Sequence, residues 1–146
     1  MSRRPLGFTI VEIAVVVTII SILATLTVVA FTQFQANARN DRRTADIGSL
    51  KRAIVHYYHD NGEYPACTNS GSGCAVSAIA SSIKKYMASV PLKDPQGSDY
   101  LYWPGTDQYA LFVSYEPSSS CKTGINMDST WWSSTADCKA AYPNRF

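Results

Sequence analysis

The sequence predicts an α+β chain: one long N-terminal helix, transmembrane in its first half and amphipathic in its second, packed on a small antiparallel sheet. Three observations carry this. Leu6 to Phe31, LGFTIVEIAVVVTIISILATLTVVAF, is apolar on all sides. Ile47, Leu50, Ile54, Tyr57 and Tyr58 then recur at helical spacing. Further on, Asp99 to Trp103 and Gln108 to Tyr115 alternate as strands around a Pro104-Gly105-Thr106-Asp107 turn.

After Arg3 and Arg4 the only charge before Arg39 is Glu12, and the uncharged run from Ile13 to Ala38 is 26 residues. A helix needs about 20 residues to cross a hydrocarbon layer about 30 Å thick. The segment therefore has the length and composition of a membrane span. A carboxylate inside such a span costs about 2.5–3.5 kcal/mol at its centre, and less near an end. At the start of a helix it also meets the positive end of the helix dipole. Glu12 is thus either an interfacial helix-start residue or a group with a partner.

Gly7-Phe8-Thr9-Ile10-Val11-Glu12, behind a short basic leader and ahead of an unbroken apolar run, resembles the class III signal of type IV pilins and type II secretion pseudopilins. The resemblance implies a pilin-like fold, with residues 1–7 as a leader peptide, 8–38 as the transmembrane and filament-core half of the helix, and 39–146 as a globular domain. It implies cleavage between Gly7 and Phe8 by a prepilin peptidase, and N-methylation of the new terminal residue, Phe8. It further implies a structural subunit of a type IV pilus-like filament, polymerised through its N-terminal helix. The partners are then the membrane, identical subunits, the peptidase and a pilus or secretion assembly machinery. A type II secretion or DNA-uptake pseudopilin is the alternative within the family. Before assembly the chain would cross the cytoplasmic membrane once with its N-terminus inside; afterwards it would stand in an extracellular or periplasmic filament.

In that setting Glu12 gains a partner from the cleavage itself, because the Phe8 nitrogen changes from a neutral amide to an ammonium. Within one chain the two lie four residues apart, about 6 Å along a helix. In a filament the same carboxylate would meet the ammonium of an incoming subunit, in an apolar core where attraction is strong. One departure from the family is Val28-Val29-Ala30, in a region that often carries a helix-breaking proline. The competing reading is a secretory signal cut after Ala36-Asn37-Ala38, releasing a soluble protein, within the wider alternative of a secreted or membrane-tethered binding domain or enzyme. Such signals have apolar cores of roughly 7–15 residues, far shorter than this run.

From Arg39 to Asn61 the apolar residues form one stripe, with Arg43, Asp46, Lys51, Arg52 and Asp60 mostly off it. No proline occurs between Pro5 and Pro65, so a single helix is expected from Phe8 to about Asn61. Gly48 weakens it locally by about 1 kcal/mol relative to alanine. Asn61-Gly62 supplies a left-handed stop. A short helix is expected over Ser77 to Met87, from Ile79, Ile83 and Met87 at steps of four, with Lys84 and Lys85 outward. The helix end at Asn61-Gly62-Glu63-Tyr64-Pro65, the Asp94-Pro95-Gln96-Gly97 turn and Tyr109-Ala110-Leu111 also resemble major pseudopilins, extending the similarity over most of Phe8 to Glu116. Pro117 is expected to close the second strand, leaving a polar tail that brackets Trp131 and Trp132 with cysteines.

Removing the leader takes Arg3 and Arg4 from 13 basic residues and leaves 11 against 11 acidic ones. A near-neutral chain has no electrostatic case for direct nucleic-acid binding. Four cysteines, Cys67, Cys74, Cys121 and Cys138, point to two disulfides and an oxidising compartment. Three pairings are open, and sequence order favours Cys67 with Cys74 and Cys121 with Cys138. A zinc site from His56, His59, Cys67 and Cys74 is the alternative, and its spacing lacks close cysteine pairs. Calcium is considered at Asn126, Asp128 and Ser129, which lack the spaced acidic ligands of a strong site. No cofactor is assigned. No nucleophile elbow, phosphate loop or paired catalytic carboxylate occurs, so the expectation is a structural protein and not an enzyme.

Overall fold

A computed structural model describes residues 7–68, 73–127 and 135–143. The first element, α1, runs over Ile10–Asn61. The chain divides into two compact units, with the boundary between Ala36 and Asn37. In the first unit the large apolar side chains of α1 that the structure describes are exposed, from Ile10 through Phe31 and Phe34. Its hydroxyls turn back on the helix: Thr18 and Thr25 donate to the carbonyls of Val15 and Ile22, and Ser21 and Thr27 to those of Val17 and Leu23. These four hydroxyls are thereby satisfied by the helix's own carbonyls, the arrangement that a hydroxyl placed in hydrocarbon needs.

In the second unit α1 becomes one-sided, as the spacing predicts. Ile47, Leu50 and Ile54 are fully buried. Gly62 takes φ +75° and donates its N–H to the Tyr58 carbonyl at 2.8 Å, ending the helix in the left-handed conformation that glycine adopts without steric cost. The chain turns back there through Tyr64, whose ring lies 4.4 Å from that of Tyr58 and 5.0 Å from that of Tyr109.

Five strands form one sheet in sequence order: β1 Cys74–Ala75, β2 Leu101–Pro104, β3 Tyr109–Tyr115, β4 Ser119–Ile125 and β5 Ala136–Asp137. The first four are antiparallel; β5 joins β4 in parallel and leads into α3, Cys138–Ala141. Tyr102, Tyr109, Leu111 and Val113 bury their side chains in a core shared with Ile47, Leu50 and Ile54. The alternating aromatics are therefore packing residues of the sheet.

Three expectations are corrected. The residues after Pro117 do not begin a loose tail: β4 pairs with β3 along all seven residues. Its sequence, SSCKTGI, has no apolar alternation; it owes its place to the register, which sets Cys121 opposite Val113 and Thr123 opposite Leu111. Ser77 to Met87 is not one α-helix but a 3-10 turn over Val76–Ile79, a short α2 over Ala80–Ile83 and a second 3-10 turn over Lys84–Tyr86. Ile79 and Ile83 are buried nonetheless. Arg43, placed off the apolar stripe, is among the most buried side chains, at 1% exposure.

At Gly48 an added Cβ would meet only Arg52 Nη1, at an ordinary 3.7 Å. Gly48→Ala is therefore expected to stabilise the protein by about 0.5–1 kcal/mol, raising the melting temperature by a few degrees in a thermal scan. A lower melting temperature would mean that this face of α1 requires glycine and does not tolerate the added Cβ.

Candidate functional site

The helix start is built from Thr9. Its hydroxyl accepts the Glu12 N–H at 3.2 Å and its carbonyl accepts the Ile13 N–H at 3.3 Å. Thr9-x-x-Glu12 has the sequence of a capping box, with Thr9 at the N-cap. Sequence reasoning weighed Glu12 only as a charge and missed this signal, although the spacing spells it out. Gly7 and Phe8 lie outside the helix, with Phe8 78% exposed and open space around Gly7. Glu12 stands in the first turn, exposed.

The second unit holds the first turns of its part of α1 by an ionic cluster. Arg39 donates through Nε and Nη2 to the two carboxylate oxygens of Glu116. Asn40 bonds the Glu116 backbone twice, its Nδ2 donating to the carbonyl at 2.9 Å and its Oδ1 accepting the N–H at 3.0 Å. Arg43 places all five of its N–H bonds: Nε and Nη2 to Asp94 Oδ2, Nη2 also to Gln96 Oε1, and Nη1 to Asn40 Oδ1 and Glu116 Oε1.

Charges respond to this arrangement. The Arg39 hydrogen bonds, helped by Arg43 and opposed by burial, pull the Glu116 carboxyl down from about 4.5 to about 2. Burial pushes the Asp94 carboxyl up, but Arg43 and the N–H groups of Ser98 and Gln96 outweigh it and leave it below its ordinary value. Sequence reading could place Asp94 in a turn and Glu116 at a strand end, but nothing local showed that both converge on one arginine more than 50 positions away.

The structure pairs Cys67 with Cys74 and Cys121 with Cys138. The zinc alternative is thereby overturned, because a sulfur in a disulfide is not a thiolate ligand. His56 stacks on Tyr86 instead, at 6.3 Å between ring centres. Of the calcium candidates, Asn126 has φ +50° and donates its Nδ2 to the Asp107 carbonyl, while Asp128 and Ser129 lie outside the described residues. Among the described residues no three His, Cys, Asp or Glu side chains gather as a metal site would need.

Comparison with known proteins places both halves of this arrangement. The family model for type II secretion system protein G matches residues 30–126, and that for the prokaryotic N-terminal methylation motif matches residues 2–28. Type II secretion system core protein G of Escherichia coli K12 is 36% identical over 134 residues, covering 86% of this chain and 90% of that protein. The core protein G of Vibrio cholerae is 33% identical, covering 76% of this chain and 79% of that protein. A fimbrial protein of Neisseria meningitidis serogroup B is 35% identical over 95 residues, covering 64% of this chain and 54% of that protein. No solved structure matches the chain. With a methylation motif on its apolar helix and the protein G pattern running through α1, the ionic cluster and β4, the chain belongs to the type II secretion system protein G family.

Proposed function

We propose that this chain is a filament-forming structural subunit, processed between Gly7 and Phe8, methylated on Phe8 and polymerised through α1. The observation that carries it is the joining of the methylation motif over residues 2–28 to the protein G pattern over residues 30–126 in one chain. The apolar half of α1, exposed on every side, suits lipid first and the helices of identical subunits afterwards. The subunit waits in the cytoplasmic membrane with its N-terminus inside, a peptidase removes the leader, and a secretion or pilus machinery draws it into the filament. Two disulfides agree with a globular unit outside the cytoplasm. The role is structural, with no catalytic step, no cofactor and no direct nucleic-acid contact.

A secretion pseudopilus is the first reading, from the protein G match. A surface pilus is the second, favoured by the likeness to the Neisseria fimbrial protein. Electron microscopy separates them, since long surface filaments at native expression exclude a short periplasmic fibre as the sole product.

Glu12 is the proposed assembly residue, pairing with the Phe8 ammonium of an incoming subunit. Glu12→Val subunits, expressed without wild-type protein, should insert and accumulate normally yet form fewer than about a tenth of the wild-type filaments, with Glu12→Asp between the two. Normal filament numbers from Glu12→Val would return Glu12 to the role of a helix-start residue.

A further inference from the structure

We propose that Thr9 is a positioning residue for leader removal: its cap stops α1 at Ile10 and so holds the Gly7–Phe8 bond in non-helical chain that a peptidase can engage. The inference rests on the reading that the chain is cut at that bond. In the cut, water adds across the Gly7–Phe8 amide, leaving a carboxylate on Gly7 and an ammonium on Phe8.

The geometry points to competition between two helix starts. In an α-helix each N–H donates to the carbonyl four residues earlier. If α1 ran one turn further back, the Glu12 N–H would bond the Phe8 carbonyl and the Val11 N–H would bond the Gly7 carbonyl, the one under attack. Instead the Glu12 N–H goes to Thr9 Oγ1, and the ladder opens with the bond from Ile13 to Thr9. Upstream, Pro5 offers another start, because proline is suited to the first helical position. A helix begun at Pro5 would carry both Gly7 and Phe8 inside it. Proteins that grip a peptide backbone do so most readily when it is extended and its N–H and C=O groups are unspent. Thr9 keeps Gly7 and Phe8 outside the helix, with Phe8 78% exposed and open space where a Cβ of residue 7 would stand.

The test uses the purified full-length chain in detergent micelles with a prepilin peptidase, measuring initial rates of leader release. Thr9→Val keeps the shape and removes the acceptor, and should be cut several-fold to about tenfold more slowly; Thr9→Ser and Thr9→Asn, which also cap, should recover to within about twofold of wild type. Hydrogen exchange on the uncut chains reads the cap without the peptidase. The Val11 amide should exchange faster in wild type, Thr9→Ser and Thr9→Asn than in Thr9→Val, where it gains the Gly7 carbonyl as acceptor. Cleavage of Thr9→Val at the wild-type rate would overturn the proposal. So would Thr9→Ser and Thr9→Asn being as slow as Thr9→Val, since the peptidase would then be reading threonine itself. A wild-type chain left uncut at Gly7–Phe8 would overturn the processing reading and this proposal with it, while Val11 exchange would still report whether the cap exists.

Discussion

Arg43→Ala should destabilise the globular unit by about 3–5 kcal/mol, the range for removing one member of a buried ion pair. The cost comes from what stays behind. Asp94 and Glu116, 7% and 19% exposed, would face each other's neighbourhood without the guanidinium between them. Asn40 Oδ1 and Gln96 Oε1 would each lose a donor as well. Lysine should not rescue the site, because a single ammonium cannot supply five planar N–H bonds to four side chains. Chemical denaturation of wild type and variant, compared at their midpoints, measures the difference.

The same cluster fixes the sign of the acid response. Glu116 and Asp94 have carboxyls lowered in the folded state, so their contribution to stability is full above their unfolded values and lost as pH falls. For Glu116 the window runs from about 4.5 down to about 2. Wild-type protein should therefore lose stability through that window, and Arg43→Ala should lose less of it, having less ion pairing left to give up.

Gly124→Ala is expected to be nearly as severe, at about 3 kcal/mol, the upper end of the usual overpacking range. Gly124 pairs with Ala110 in β3, and a Cβ there would overlap the Tyr109 carbonyl oxygen and stand 2.9 Å from Ala110 Cα. These are backbone atoms inside the sheet, and no flexible side chain can move to make room. Either the two strands part locally or β3 shifts, and β3 carries Tyr109, Leu111 and Val113 into the core. A fall in melting temperature of roughly 12–20 °C follows at this domain size. A shift under about 2 °C would mean that β4 bends away freely at this point.

Much of this was legible because it is written in local patterns. The apolar run gives the span, the spacing of Ile47, Leu50 and Ile54 gives the buried face, and Asn61-Gly62 gives the stop. The hairpin of β2 and β3 follows from alternation around Pro104 to Asp107. What stayed hidden depends on partners distant in sequence. β4 is polar and becomes a strand because β3 has a free edge beside it. Arg43 looks like a surface charge until Asp94 and Glu116 arrive from segments more than 50 residues away. The Thr9 cap is the opposite case, a local signal four residues long that the charge of Glu12 overshadowed.

The most direct measurement on the central claim is the N-terminal residue of the protein recovered from cell membranes, by N-terminal sequencing together with intact mass. The expected chain begins at Phe8, carries one methyl group on its terminal nitrogen and has both disulfides closed. A chain beginning at Arg39, cut after Ala36-Asn37-Ala38 and found free of the membrane, would contradict it, because the apolar half of α1 would then be a discarded signal and not the core of a filament.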